Sequence, residues 1–307
     1  MPDNTIEPPS SKVLTGDPYH FKPAVRMQRW ARVMLDGTPG AATTPAALSL
    51  AGALAGRTAV IDGERGRTSI HADAYDFDAL PPLAHFRPDT LVTALAHCAA
   101  KRYDAVVIAS LSPFWAGSDG LYEQVARFEK HGGAGTSGWR EARPAERRMI
   151  EAIFGYPGHV IVTVRNRLDY VVEDAGDGRK QRHIVGLAPV MAKELEYEFD
   201  VVATVDARQN LAIAGAPSSA FDDTGSPEEG FADRLRAWLG EGEPIQPAHD
   251  LAARALQSDL SFEDLGALMA DVRSRFAEGY PLLLPDGSAE LLGVYVLRRG
   301  REQRPSA

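Results

Sequence analysis

The sequence predicts an α/β protein with a mostly parallel, twisted sheet covered by helices on both faces. Three observations predict it. Short apolar runs such as Val106-Val107-Ile108 and Val160-Ile161-Val162 read as buried strands. Helical patterns separate these runs, which calls for parallel strands joined by crossovers. The segment Leu35 to Thr44 has the shape of a phosphate-binding loop set between a strand and a helix. With 307 residues, the chain is long enough for one large core with a modest appendage, or for two small domains.

Residues 1–20 are rich in Pro, Ser and Asp and are expected to form a flexible leader; they show no basic and apolar signal-peptide pattern. The first strand is expected at Arg32 to Leu35. A helix follows over Pro45 to Leu54, with Thr44 as N-cap and Gly56 as its stop. Thr58 to Ile61 reads as a strand that ends in the charged turn Asp62-Gly63-Glu64-Arg65-Gly66-Arg67. Next come a helix over Pro88 to Lys101, a strand over Ala105 to Ile108, a helix over Pro144 to Phe154 and a strand over His159 to Val164. Tyr170 to Glu173 and His183 to Val185 flank Gly176 to Gly178 as a hairpin, and Val201 to Val205 with Asn210 to Ala214 close the sheet.

Phe221 to Gly230 reads as an acidic linker. Helices are expected beyond it at Ala232 to Leu239, Ala248 to Leu256 and Phe262 to Glu278. Tyr280 to Leu284 and Glu290 to Leu297 flank the turn Pro285-Asp286-Gly287. The expected organisation is a leader at 1–20, a main domain at 21–220 and a C-terminal appendage at 231–300.

Composition narrows the function classes. The formal net charge of -9 argues against strong autonomous nucleic-acid binding, which usually needs a basic face. No apolar run approaches membrane-spanning length. The lone Cys98 has no partner for an internal disulfide, which suits a cytoplasmic setting, and its helical context reads as a half-buried thiol. The eight histidines are scattered without metal-site spacing. Glu196, Glu198 and Asp200 alternate as a solvated face does, and Trp115 and Trp139 read as core or interface anchors.

A phosphate-binding loop G-x-x-x-x-G-K-[ST] wraps phosphates in backbone N–H groups at a helix N-terminus and neutralises them with lysine. Here the loop is Gly37, Thr38, Pro39, Gly40, Ala41, Ala42, Thr43 and Thr44. Gly37 opens it, and Thr44 stands where the Mg2+-binding hydroxyl belongs. Ala42 replaces the second glycine, and Thr43 replaces the lysine. Taken alone, the segment reads equally as an ordinary strand–helix turn. Glu64, at the end of the next strand, has the position of a carboxylate that polarises water, although it also reads as part of a solvated turn. The strand Val106 to Ile108 ends in Ala109-Ser110, with no acid to hold Mg2+.

In order along the chain, several segments together resemble the phage-type RecA-like P-loop ATPases, whose members serve recombination and replication. They are Phe21-Lys22-Pro23-Ala24, the loop, Ala59 to Arg67, Tyr103 to Ser112, Trp115-Ala116-Gly117 with Gly120-Leu121, and Trp139-Arg140-Glu141 with Pro144. His159 to Arg165, Tyr170 to Glu173, Val185 to Pro189 and Glu196 to Val202 complete the set. The resemblance spans Phe21 to Ala216 and implies a RecA-like fold with a nucleotide site at the carboxyl ends of the strands. It places Ser110, Thr163 and Arg165 beside the loop, the last two as sensor-type polar residues; Arg165 and Arg167 read equally as surface ion-pair partners.

The departures fall on the phosphate-facing chemistry. Thr43 stands for the lysine and Ala109 for the Mg2+-binding aspartate. Ala214-Gly215-Ala216-Pro217-Ser218 lacks the Lys and Arg that the family carries near the γ-phosphate, and Gly63 stands where the family often has Thr. The resulting expectation is a degenerate, pseudo-ATPase member with a structural or regulatory role and no efficient ATPase activity. ATP would be held only by the loop amides, Thr43 and Thr44, and Mg2+ would be poorly held. Two alternatives remain open: an ATP-binding protein with weak turnover through Glu64, its missing cation supplied in trans by Arg65 or Arg67, and an oligomer that binds single-strand DNA. The resemblance also implies a homo-oligomer, or a hetero-oligomer with an active paralogue.

Overall fold

The computed structural model describes residues 23–131, 137–174, 180–216 and 230–304. The expected leader, the hairpin turn at 176–178 and all of the expected linker except Gly230 lie outside them.

Strand β1 (Arg32–Gly37) leads through the loop into helix α1 (Thr43–Leu54). Strand β2 (Thr58–Asp62) ends in the charged turn, which runs through a short 3-10 helix (Arg67–His71) to β3 (Asp78–Ala79). Then come α2 (Pro88–Ala100), β4 (Ala105–Ala109), α3 (Pro113–Ala116), α4 (Leu121–His131), α5 (Gly138–Phe154) and β5 (His159–Thr163). The ribbon β6 (Asn166–Asp174) and β7 (Lys180–Pro189) follows, and then β8 (Val201–Val205) and β9 (Leu211–Gly215). The tail holds α6 (Ala232–Leu239), α7 (His249–Ala255), α8 (Phe262–Ser274), β10 (Pro281–Leu283), β11 (Ala289–Leu291) and α9 (Leu292–Glu302).

Seven strands form one sheet in the order β3-β2-β4-β5-β1-β8-β9, parallel except for the edge strand β9. All five residues of β2, β4 and β5 are buried, because both faces are covered and a mixed polar pattern would strand polar groups away from water. The period-2 alternation of a strand divides the core. Val33, Leu35, Val60, Val107 and Ile161 face α1 and α6, while Met34, Ile61, Ile108, Val160 and Val162 face α2 and α5. The tail is split the same way: α6 joins the first cluster through Leu235 and Leu239, and α7 to α9 join the second through Leu251, Leu268 and Val296.

One buried cation sets the base of β1. The Arg32 guanidinium donates to the carbonyls of Ala31 (3.0 Å), Phe154 (2.8 Å), Tyr156 (2.6 Å) and Gly158 (2.7 Å), so it caps the end of α5. Burial lowers its pKa to about 10, and Asp200 opposes that shift.

Several expectations are corrected. Helix α1 starts at Thr43 with Ala42 as its N-cap, so Thr44 lies inside the first turn and caps nothing. Helix α5 begins six residues earlier than expected and carries Pro144 within it; its buried Ala142, Met149 and Ile153 keep helical spacing on both sides of the proline. The amphipathic α4, with Leu121 and Val125 buried at i and i+4, was not foreseen. In Glu290 to Leu297, only the residues up to Leu291 are strand. Leu292 and Val296 are buried four apart, which is helical spacing, and α9 results. Cys98 is fully buried rather than half-buried, and burial pushes its thiol up to about 12.

Candidate functional site

The loop after β1 takes its shape from packing. A Cβ on Gly37 would lie 2.6 Å from the Ala41 Cβ and 2.8 Å from the Val205 carbonyl oxygen, so no larger residue fits without a shift. The Ala41 N–H donates to the Thr38 carbonyl (2.9 Å), and the Ala42 N–H donates to the Asp206 carbonyl (3.2 Å) in the β8–β9 turn. That turn is itself tied down. The Asp206 carboxylate accepts the Asn210 side chain and the N–H groups of Asn210 and Arg208, which hold its pKa below the usual range. The N–H groups of Thr43 and Thr44 have no acceptor among the described residues and point along the axis of α1, as expected for the first turn of a helix. The Thr43 methyl folds back over Gly37, where a lysine would extend outward.

The turn after β2 is organised by a buried acid. Asp62, 3% exposed, accepts the N–H of Glu64 (2.5 Å) and of Thr68 (2.9 Å), which uses both carboxylate oxygens. Gly63 passes close under the end of β4. A Cβ there would lie 2.4 Å from the Ser110 carbonyl oxygen, which explains glycine at a position where a threonine cannot stand. Glu64 is brought to the cleft wall, where its Oε1 accepts Nη2 (3.0 Å) and Nε (3.2 Å) of Arg165.

Arg165 is positioned from behind, since its N–H donates to the buried Ser112 Oγ at 2.8 Å. Ser110 Oγ donates to the Thr163 carbonyl at 2.9 Å, and the Leu111 N–H donates to the same oxygen at 2.8 Å. These bonds stitch the ends of β4 and β5 together beneath the cleft floor.

A cleft of about 610 Å³ results, within the range of small-molecule sites. The whole loop from Gly37 to Thr44 lines it, together with Glu64 and Arg165. Ser110 and Thr163 do not; both are buried, and the Ser110 hydroxyl is spent on the Thr163 carbonyl. Arg67, Thr68, His71 and Asn166 also line it, and none of these was singled out as a cleft residue of its own chain. Arg67 was considered as a cation lent in trans, but it faces the cleft in cis, with no ion-pair partner among the described residues. Two buried polar atoms in the lining, Thr68 Oγ1 and Asn166 Oδ1, have no hydrogen-bond partner among the described residues. The one available sequence signal was position: both residues lie within four residues of Glu64 or Arg165.

The donor set fits an anionic group. Two free helix-terminal N–H groups, Arg67, and Arg165 beyond its bond to Glu64 all meet at the cleft. It does not fit Mg2+. Ala109, fully buried at the end of β4, pairs in register with Asp62, whose oxygens are already filled by N–H groups. No cluster of His, Cys, Asp and Glu able to hold a metal occurs among the described residues. The Ala214–Ala216 segment ends β9 without a cation, and Pro217 and Ser218 lie outside the described residues. Trp115 is fully buried, with its indole N–H 3.4 Å from Glu146, and Trp139 packs edge-on against Tyr122. No described helix is long and apolar enough to cross a membrane.

Residues 30–227 match the family model described as "AAA domain", well over half of the chain. No curated protein sequence matches. Among solved structures, the crystal structure of the RadB recombinase aligns at 13% identity with a TM-score of 0.33, covering 58% of this chain and 75% of that chain. The family match covers the phosphate-loop strand and its parallel neighbours: the chain belongs to the AAA domain family, with a mostly parallel α/β core.

Proposed function

We propose that this AAA-domain protein is a degenerate P-loop protein, a pseudo-ATPase that holds a nucleotide's phosphates weakly and serves a structural or regulatory role. The phage-type resemblance of its motifs supports a setting in DNA recombination or replication, as an oligomer or beside an active paralogue. The observation that carries the reading is the state of the catalytic parts. Thr43 folds back over Gly37 where lysine would reach out, Ala109 fills the strand-end acid position, and the Glu64 carboxylate is occupied by Arg165. Phosphoryl transfer depends on cations and metal placed around the phosphates, so losing lysine and the metal ligand together removes most of its electrostatic stabilisation. Binding survives better than catalysis, because the helix N-terminus, Arg67 and Arg165 still offer positive charge to an anion.

Calorimetric titration with ATP and ADP, paired with a phosphate-release assay, tests this. Weak binding that is indifferent to Mg2+ is expected, with turnover at least about 1,000-fold below a typical 10 s⁻¹. Mg2+-dependent hydrolysis at an ordinary rate that disappears in Glu64→Gln would overturn it. Restoring the missing chemistry with Thr43→Lys and Ala109→Asp should tighten ATP binding about tenfold, roughly 1.4 kcal/mol, and make it Mg2+-dependent.

A second reading, an ATP-binding protein with slow hydrolysis, draws on Glu64 and Arg67 standing together in the same cleft wall. In that case slow turnover is measurable in the wild type and vanishes in Glu64→Gln while nucleotide affinity is kept.

A further inference from the structure

A groove of about 660 Å³ runs between α5 and α9 and shares no lining residue with the nucleotide-loop cleft. Its floor is apolar. Pro144 comes from α5, Leu291 from β11, and Val294 and Leu297 from α9, the last two 48% and 41% exposed and three residues apart on one helix face. Its α5 wall is cationic: Arg140, Arg143 and Arg147 fall at i, i+3 and i+7, a single stripe.

These cations are poorly neutralised. Arg143 and Arg147 have no carboxylate partner among the described residues, and Arg140 reaches only its neighbour Glu141 at 3.7 Å. Arg143 and Arg147 are like charges at i and i+4, but Glu146 and Glu151 fall at i+3 and i+4 from them, so the stripe costs α5 little. It stands out on a chain of net charge -9.

The groove is preformed. A Cβ on Gly155, just past α5, would lie 2.2 Å from the Gly279 carbonyl carbon, and one on Gly293 would lie 3.0 Å from the Glu278 Cβ. The two walls are therefore set by backbone contact, which spares a ligand the cost of ordering them. One wall lies inside the family-matched span and the other beyond it, so the groove belongs to this chain's own combination of domain and tail.

We propose that this groove docks an acidic amphipathic helix of a partner protein. Leu-type side chains at helical spacing would cover Val294 and Leu297, and carboxylates on the flank would meet Arg140, Arg143 and Arg147. Charge complementarity favours this occupant over nucleic acid for two reasons. A phosphate backbone makes no use of an apolar floor. It would also carry the same negative charge past Glu151 and Glu278, which line the groove too, whereas a peptide can place a neutral or basic residue there.

The test uses the full chain and a fluorescein-labelled synthetic helix of about 18 residues, five turns long, with leucines on one face and glutamates beside them. Three further probes are the same peptide with lysines for glutamates, the same peptide with serines for leucines, and a labelled single-strand oligonucleotide. Fluorescence anisotropy should show a Kd of about 10 μM for the acidic peptide alone. Arg143→Glu/Arg147→Glu and Val294→Ser/Leu297→Ser should each weaken it more than about tenfold, with an unchanged thermal transition because all four side chains are exposed. The charge-reversed variant should in turn bind the lysine peptide, a swap that mere misfolding could not produce. The proposal falls if the wild type ignores the acidic peptide at about 100 μM, if the serine peptide binds equally well, or if oligonucleotide binding is what the arginine variant loses. It falls equally if the same variants abolish self-association that the peptide does not compete with, since the occupant is then a second copy of this chain.

Discussion

The loop after β1 and the turn after β2 line the same cleft, yet they are built by opposite means. From Gly37 to Ala42 the chain is shaped by close packing and by two N–H groups spent on neighbouring carbonyls, and it presents no charge. From Gly63 to Thr68 the chain presents Glu64 and Arg67, and a buried carboxylate, Asp62, holds it in place. The difference teaches that the loop's form rests on packing and backbone bonds and needs no charged side chain. The charged turn has no such independence. Its conformation and the placement of its charges both rest on one buried group, so the charge left in the cleft is only as secure as Asp62.

The comparison breaks most visibly at that group. Asp62→Ala leaves the buried N–H of Thr68 and the part-buried N–H of Glu64 without acceptors and should cost about 3 kcal/mol by urea denaturation. A loss under about 1 kcal/mol would mean that the turn stands without its anchor.

Acid supplies a control at the opposite end of the parallel strands. His159 starts β5, is buried, and accepts the Ala31 N–H at its Nδ1 (3.0 Å), a bond that requires an unprotonated nitrogen. Burial, reinforced by Arg32, lowers its pKa from 6.5 to about 4. The unfolded chain therefore takes up the proton first. Stability is fully present above pH 6.5 and is lost as pH falls through about 4, by roughly 3 kcal/mol in total. His159→Asn keeps an acceptor and should flatten that slope in pH-dependent melts while leaving the cleft untouched.

The two close approaches can be set side by side. Gly63→Ala and Gly37→Ala each push a methyl group into backbone and should each cost about 2 kcal/mol. If only Gly63→Ala destabilises, the loop is shaped by something other than the Ala41 and Val205 contacts. The smallest effect is expected at the ion pair. Glu64→Gln should change stability by less than about 1 kcal/mol, since Arg165 is more than half exposed. It should nevertheless strengthen anion binding, because Arg165 is then released to the cleft; unchanged ATP affinity would show that Arg165 never faces the ligand.

Much of the fold was legible in short runs. Val106 to Ile108 and Val160 to Val162 are uninterrupted apolar runs of strand length, and both lie in strands buried on both faces. Helix α4 was masked by its charged composition, although Leu121, Val125 and Phe128 fall at i, i+4 and i+7, of which the first two are buried. Leu292 to Leu297 read as strand because a short apolar run has no period of its own; α9 forms there because Leu292 and Val296 meet the second core. At the site, the uncharged residue types at Thr43 and Ala109 were readable directly. The inward turn of the Ser110 hydroxyl was not, because its direction depends on which carbonyl lies within reach across the sheet.

By itself, the sequence determined the α/β class, the place of the loop and the uncharged residue types at Thr43 and Ala109. Those are local properties of residue type and spacing, and they hold whatever the loop packs against. Only the tertiary structure decided that Arg67 and Asn166 face the cleft in cis, that Asp62 is spent on the turn, and that the tail lays α9 beside α5 to make a second groove. Each of these joins segments distant in sequence or fixes a side chain's direction, and both are set by the packing of the whole sheet and its two covering layers.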